Sequence, residues 1–136
     1  MTDTVRAQVL VAGTGEGPVM RLGAPLSFWG GVDAQTGRIV LAGHPDEGAS
    51  VAGAVLVLPG VVGSSSSTSV LLELIHAGRA PAALVLPGPD AILTLAVVIA
   101  REMCWDAPPV LCLAADALPR GARVRVAEDG TVSVLP

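Results

Sequence analysis

Six consecutive hydroxyl side chains, Ser64–Ser69, follow Gly63 and separate two strongly apolar segments of the chain. A helix needs only one hydroxyl at its N-cap, so this serine run holds more polar chemistry than folding requires. At the start of a helix, the backbone N–H groups and the helix dipole favour an anion. The run therefore predicts a cradle for a carboxylate or phosphate, or else a serine-rich N-cap or a flexible surface loop.

The common phosphate-binding and nucleophile motifs do not account for this run. No Lys follows the second glycine, as a Walker A loop requires, and no Gly-x-Ser-x-Gly match marks a nucleophile elbow. Further upstream, Gly13, Gly15 and Gly17 precede no helical pattern, so they do not form a dinucleotide-binding fingerprint.

A second unusual segment, Ser27–Asp33, holds the single Phe and one of the two Trp residues of the chain. Phe28 and Trp29 either form a hydrophobic plug under a loop or belong to a functional loop. In the second case, Gly30 and Gly31 would let the backbone approach a ligand or a partner closely.

Histidine and cysteine residues are few. His76 falls in the last turn of the helix after the serine run, where the helix C-terminus favours a positive charge. His44 lies in a polar segment that is either an exposed loop or the wall of an active site. Cys104 and Cys112 are interpreted as buried apolar residues. They are too few for a structural zinc site, or for a complete iron–sulfur cluster held by this chain alone.

The elements that must position these residues follow from the apolar pattern. Continuous apolar stretches predict three buried strands, over Ala54–Leu58, Ala82–Leu86 and Val110–Leu113. One helix is predicted over Ser69–Ala77 and ends at Gly78, and another over Ala91–Met103 has Asp90 as its N-cap. The serine run then lies between the end of a strand and the start of a helix, where open α/β sheets bind ligands.

The flanking segments favour further β-structure. Strands are predicted over Val5–Val11, Pro18–Leu22 and Arg38–Leu41. A hairpin is predicted from Arg123–Val126 and Thr131–Val134. The order of elements indicates one α/β domain, residues 1–136, with a partly parallel central sheet flanked by helices and β-structure.

Composition excludes several classes of protein. The 136 residues are 51% hydrophobic and 15% charged, so the chain is expected to fold around a real core. A net charge of −4, one Phe, two Trp and no Tyr argue against nucleic-acid binding, which usually needs basic patches and stacking aromatic residues.

The same sequence favours a cytoplasmic protein. No run of about 18–20 apolar residues predicts a membrane span, so no membrane association is expected. Met1–Thr4 lack a basic region followed by an apolar one, so no signal peptide is expected. Two cysteines suit a reducing compartment.

Several motifs occur in a specific order along the chain, namely Pro25–Asp33, Thr36–Ile39, His44-Pro45, Leu58–Gly60 and Gly63–Ser66. In this order and spacing they resemble the small, swivelling-domain subunit of the aconitase X family, over roughly Val5 to Leu113. The resemblance implies the swivelling β/β/α domain of the aconitase superfamily. Enzymes of this family are hydro-lyases that dehydrate cis-3-hydroxy-L-proline in bacteria or mevalonate 5-phosphate in archaea.

The resemblance also implies a partner. In two-subunit members, a separate large subunit carries the cysteines for the iron–sulfur cluster. This chain is therefore expected to bind no metal or cofactor itself and to be active only with a large subunit. In the wider superfamily, a Gly-Ser-Ser motif supplies the serine that removes a proton from the carbon next to a carboxylate. On this sequence that serine is Ser64.

The other residues implied at the small carboxylate substrate come from both unusual segments. Ser65 and Ser66 are expected to hydrogen-bond the substrate or support the loop. The set is completed by Gly63, Ser27, Trp29 and Gly30.

Two positions depart from the family's pattern. Ser66 stands where aconitase has an Arg that binds the substrate carboxylate, and Val62 stands where archaeal relatives often have a basic residue. The lack of positive charge favours cis-3-hydroxy-L-proline over mevalonate 5-phosphate, although the large subunit could supply the charge.

Two alternatives from other classes stay open. One is a non-catalytic binding or regulatory domain that kept the swivelling fold. The other is a stand-alone phosphotransfer domain, which needs a catalytic His in a mobile loop, and His44 is its one candidate.

Overall fold

The computed structural model describes residues 3–136, which form eight strands and three helical segments. The strands are β1 (Thr4–Arg6), β2 (Gln8–Val11), β3 (Gly15–Arg21), β4 (Val55–Val57), β5 (Ala83–Leu86), β6 (Val110–Cys112), β7 (Arg123–Val126) and β8 (Thr131–Val134). The helical segments are α1 (Phe28–Gly31), α2 (Ser67–His76) and α3 (Ala91–Glu102). Met1 and Thr2, on which part of the expectation of no signal peptide rests, lie outside the described residues.

The strands form one sheet in the order β1-β8-β7-β3-β4-β5-β6-β2. Its centre, β3-β4-β5-β6, is parallel, and the other pairings are antiparallel. The prediction of an α/β fold with a partly parallel sheet flanked by β-structure is confirmed. The hairpin of β7 and β8 has the predicted bounds, and Gly130 adopts φ +89° in its turn, a conformation that favours glycine.

Side chains of the central strands alternate between the two faces of the sheet, as the pleat requires. On β4 and β5 and the residue that follows β4, Val and Ala face the antiparallel strands, whereas Leu faces the helices. The first set is Val55, Val57, Ala83 and Val85, and the second is Leu56, Leu58, Leu84 and Leu86. Helices α2 and α3 pack on the Leu face through Leu71, Leu74, Leu93 and Val97. The layers are therefore β, β and α.

The sheet curls until its two edges meet. β1 pairs with β8 at one edge, and β2 pairs with β6 at the other, yet only Ala7 separates β1 from β2 in the sequence. The Ala7 N–H donates a 2.9 Å hydrogen bond to the carbonyl of Gly130 in the hairpin turn. A single residue can link opposite edges only if the sheet is nearly closed.

The prediction of one strand over Val5–Val11 is therefore wrong, because the segment changes partners at Ala7. The strand predicted over Pro18–Leu22 is longer and begins at Gly15. The strand predicted over Arg38–Leu41 is absent, and its residues form only the isolated bridges Arg38 to Ser50 and Ile39 to Val32.

The helices agree with prediction apart from their ends. α3 begins after Asp90, whose carboxylate accepts a 2.8 Å hydrogen bond from the Leu93 N–H, as predicted for an N-cap. α2 begins at Ser67, two residues before the predicted start. The part of the chain that the structure describes has no helix with both the length and the apolarity to span a bilayer.

Candidate active site

The serine run follows the carboxyl end of β4 and continues into α2, which begins at Ser67. We call Gly63–Ser66 the serine loop. It turns into α2 through two backbone hydrogen bonds, from the Ser67 N–H to the Ser64 carbonyl at 2.9 Å and from the Thr68 N–H to the Ser65 carbonyl at 3.3 Å. The predicted strand–loop–helix junction is thus present. The loop lies at the end of the sheet where the parallel strands have their carboxyl termini.

The six hydroxyls divide into two groups. Those inside α2 are used by the fold: Thr68 Oγ1 donates to the Ile92 carbonyl at 2.8 Å, and Ser69 Oγ donates to the Ser66 carbonyl at 2.9 Å. In the serine loop, the exposed hydroxyls of Ser65 and Ser66 make no hydrogen bond within residues 3–136. Ser66 is the N-cap residue of α2, but its hydroxyl does not cap the helix. A serine-rich cap therefore does not explain the loop.

Ser64 has the most defined environment of the loop serines. It is half-buried, and its Oγ accepts a 3.2 Å hydrogen bond from the Ser66 N–H. An N–H directed at this oxygen stabilises negative charge on it. Ser64 is thus the one loop hydroxyl already held by a donor that favours an alkoxide.

The serine loop carries no charged side chain of its own. No Asp, Glu, Lys or Arg occurs between Val57 and Glu73, and the first turn of α2 has no acidic residue to offset its dipole. Within residues 3–136, the N–H groups of Gly63, Ser64 and Ser65 donate to no protein acceptor. The local field at this site therefore comes from backbone N–H groups, which suits an anionic or developing negative charge.

The second unusual segment forms the adjacent wall. We call Ser27–Gly31 the tryptophan loop. A parallel bridge between Leu26 and Val61 holds its start beside the serine loop. Phe28 is 1% exposed and is the predicted plug, whereas Trp29 is 59% exposed beside it. The hydrophobic plug is therefore present at Phe28, and the role of the exposed Trp29 in a functional loop stays a prediction.

The two glycines of the tryptophan loop are needed for different reasons. Gly30 adopts φ +77° with open space around it, a backbone conformation that side chains disfavour. Gly31 has ordinary φ, but a Cβ there would lie 2.7 Å from Leu26 Cδ1. Gly30 therefore gives the loop its shape, and Gly31 lets it pack closely.

Comparison with known proteins assigns this fold to a family. The chain matches the profile of the aconitase X swivel domain over residues 4–134. It belongs to this family. The swivel domain is 43% identical over 106 residues to cis-3-hydroxy-L-proline dehydratase of Pseudomonas aeruginosa, covering 78% of this chain and 18% of that protein. It is 36% identical over 104 residues to the phosphomevalonate dehydratase small subunit of Methanothermobacter thermautotrophicus, covering 76% and 79%.

A solved structure supports the same assignment. The crystal structure of Thermococcus kodakaraensis aconitase X in its holo-form superposes with a TM-score of 0.87 at 30% identity, covering 98% of this chain and 99% of that chain. The swivel domain spans only about a fifth of the length of the cis-3-hydroxy-L-proline dehydratases that it matches, 18% and 21%.

The sequence pattern did not identify one residue, Ser67, that links the serine loop to the tryptophan loop in this swivel domain. Ser67 is 2% exposed, and its Oγ accepts a 3.0 Å hydrogen bond from the Trp29 N–H. It also lies 3.3 Å from the Ser27 Oγ. The helical period held the signal, because Ser67, Leu71 and Leu74 are spaced to share one face of α2, and all three are buried.

His44 is a structural residue in this swivel domain. It is 7% exposed, its Nε2 lies 3.0 Å from the Ala24 carbonyl, and its Nδ1 lies 3.0 Å from the Asp46 nitrogen. These partners assign the neutral tautomer with the proton on Nε2. Both ring nitrogens are engaged in hydrogen bonds, so neither is free to accept a phosphoryl group. The side chain of His44 is also buried, which further argues against phosphotransfer.

The remaining candidate ligands are His76, Cys104 and Cys112. His76 contacts Trp105 at the C-terminal end of α2, with ring centroids 4.7 Å apart and the rings tilted by 40°. Cys104 is exposed, so its interpretation as a buried residue is wrong, while Cys112 is half-buried and burial raises the pKa of its thiol. Within residues 3–136, no group of three or more His, Cys, Asp or Glu side chains is arranged to hold a metal ion.

Proposed function

We propose that this chain is the small subunit of an aconitase X-type hydro-lyase and that Ser64 removes a proton from the carbon beside a substrate carboxylate. The observation that supports this role best is the hydrogen bond from the Ser66 N–H to Ser64 Oγ, in a loop where other N–H groups are left without protein acceptors. The family membership and the names of the matched dehydratases support the class of reaction.

A serine hydroxyl is a weak acid, so its use as a base requires stabilisation of the alkoxide. The Ser66 N–H and the N-terminal end of α2 provide that stabilisation, and closure of the site by a partner would strengthen it by excluding water. After proton transfer, the neutral hydroxyl of Ser64 keeps the same N–H contact. The loop therefore serves the base in both of its protonation states.

The other loop residues bind the substrate in this proposal. The exposed hydroxyls of Ser65 and Ser66 and the backbone at Gly63 hydrogen-bond the carboxylate. Across the site, Ser27, Trp29 and Gly30 form the opposing wall. This arrangement lets neutral donors hold an anion while the base acts on the neighbouring carbon.

The rest of the active site belongs to a large subunit in this proposal. By the resemblance to two-subunit members of the family, we assign an iron–sulfur cluster to that partner. When bound there, the cluster supplies Lewis acidity for the departing hydroxyl group. The small subunit contributes the base, the carboxylate-binding donors and the aromatic wall.

We propose cis-3-hydroxy-L-proline as the substrate, with mevalonate 5-phosphate as the alternative. Ser66 in the serine loop and Val62 just before it stand where relatives carry basic residues, so the site suits a carboxylate better than a doubly charged phosphate. The higher identity to the cis-3-hydroxy-L-proline dehydratase, 43% against 36%, favours the same choice.

The test is reconstitution of this chain with its large subunit, followed by dehydration assays on both compounds. In the complex, Ser64→Ala should lower kcat by about 100- to 10,000-fold, the range for loss of a general base. Ser133→Ala is the matched control, because β8 lies three strands away from β4, and its kcat should stay within about twofold. Both variants must copurify with the large subunit.

Three outcomes would reject parts of the proposal. Full activity of the isolated chain would exclude the division of labour between subunits. An active Ser64→Ala complex would exclude Ser64 as the base. A complex that binds carboxylates but dehydrates neither compound would favour a non-catalytic binding domain.

A further inference from the structure

Ser67 is a polar side chain in an apolar position. Its face of α2 continues with Leu71 and Leu74, both fully buried. The crevice around it lies between the two loops and is lined mainly by apolar groups, namely Leu26, Phe28, Val61, Val62, Ile92 and Leu93. A hydroxyl is costly in such surroundings unless it is hydrogen-bonded.

The hydrogen-bond partners of Ser67 both belong to the tryptophan loop. Its Oγ accepts from the Trp29 N–H at 3.0 Å and lies 3.3 Å from the Ser27 Oγ, at sequence separations of 38 and 40. Ser67 is also the first residue of α2 and donates its own N–H to the Ser64 carbonyl at 2.9 Å. One residue thus contacts the two walls of the site at the same time.

We propose that Ser67 is a positioning residue that fixes Trp29 relative to Ser64 across the proposed site. Trp29 needs such an anchor, because its own backbone is extended (φ −70°, ψ 121°) inside a single helical turn that the next residue breaks at φ +77°. The turn is too short to hold itself in water, since isolated helical turns are not stable.

Water is a poor substitute for the Ser67 hydroxyl. The crevice has no space for a water molecule in the intact protein, and its walls offer few polar partners. Removal of Oγ therefore leaves the Trp29 N–H without an acceptor unless the loop moves. The structure predicts movement of the tryptophan loop, while the Leu face of the sheet keeps its packing.

The direct test is amide hydrogen exchange at Trp29 in the full chain, measured by NMR. Ser67→Ala should reduce protection of the Trp29 amide by about tenfold or more, while protection of amides in β4 and β5 stays within about twofold. Thr94→Val is the matched control, since it removes another buried hydroxyl, one that has no hydrogen-bond partner within residues 3–136. It should leave the Trp29 amide unchanged.

The second test uses the reconstituted enzyme and rests on the proposed function. Ser67→Ala should lower kcat about 10- to 100-fold with KM changed less than about threefold, because the base and the wall are misaligned while the carboxylate donors remain. A loss of fold alone would reduce the amount of active enzyme, which active-site titration with a tight inhibitor separates from a change in turnover.

Each outcome of these two tests supports or overturns the positioning role of Ser67. Unchanged Trp29 protection in Ser67→Ala, or lost protection throughout β4 and β5, overturns the positioning role. Lost Trp29 protection with unchanged kcat also overturns it. If the wild-type complex dehydrates neither compound, the proposed function fails, and the exchange experiment alone decides whether Ser67 anchors the loop.

Discussion

A methyl group added to β3 at Gly15 or Gly17 should destabilise the fold. A Cβ at Gly15 would collide with the carbonyl oxygen of Ala82, and a Cβ at Gly17 would collide with that of Gly53. Both oxygens belong to backbone that leads directly into β5 and β4, so they cannot swing away as a flexible side chain would. Relief requires displacement of β3 from its neighbours.

The size of the effect follows from two opposing terms. Overpacking costs about 1–3 kcal/mol, whereas Gly→Ala stabilises by about 0.4–1 kcal/mol through the unfolded state. Taken near the middle of both ranges, the net loss for Gly15→Ala or Gly17→Ala is about 1–2 kcal/mol. At about 2.1 cal/mol/K per residue, the unfolding entropy of this chain makes each kcal/mol worth about 3.5 °C. Tm should fall by about 3–7 °C.

Calorimetry on both variants checks this expectation, and Gly88→Ala is the control. Gly88 has no atom within 4 Å of its would-be Cβ, and its φ is not in the left-handed region. Its replacement should leave Tm unchanged or slightly higher. If Gly15→Ala and Gly17→Ala are as stable as Gly88→Ala, the close approach of β3 to these carbonyls is refuted.

Three further predictions concern stability. Asp90→Ala should lower the free energy of unfolding by about 1 kcal/mol in urea titrations, because it removes the side-chain cap of α3, whereas Asp90→Ser should keep most of it. Thr94→Val should not destabilise in the same titrations and should raise the free energy of unfolding by up to about 1 kcal/mol, since its buried hydroxyl has no partner among residues 3–136. Hydrogen bonds from Arg123 and Arg125 hold the pKa of Glu16 below its ordinary value of 4.5, so its contribution is present above that value and is lost as the pH falls through the lowered pKa. Glu16→Gln should therefore lose less stability than the wild type between pH 7 and pH 3, and equal losses would contradict this.

The central elements could be predicted from the sequence because their signals are local. A strand buried on both faces is a continuous apolar run wherever its neighbours lie, so Ala54–Leu58 and Ala82–Leu86 were identifiable without knowing the pairing. The same holds for the cap at Asp90, whose partner is three residues away.

The wrong strand predictions fall where contacts with residues distant in the sequence determine the structure. Ala7 interrupts a run of strand-forming residues because the residues before it pair with β8 and those after it pair with β6. Its own N–H donates to the hairpin turn. The sequence places no strand at Gly15 and Gly17, yet both are residues of β3 that lie close to carbonyl oxygens far along the chain. A pattern of β propensity holds no information about such contacts.

The candidate site shows the same limit. The sequence indicates that the serine run is unusual, and the resemblance selects Ser64. It does not separate the loop hydroxyls from those inside the helix, because that depends on whether α2 begins at Ser67 or Ser69. The burial of Ser67 is decided by Ser27 and Trp29, about forty residues earlier.

Ala7 alone links the two edges of the sheet, and this has a consequence for self-association. A sheet with two free edges offers two templates for pairing with other chains. Here the same short segment, residues 4–11, covers β8 with one half and β6 with the other. Its detachment would uncover both templates together, so a local opening at this segment would turn a closed sheet directly into one able to polymerise from either side.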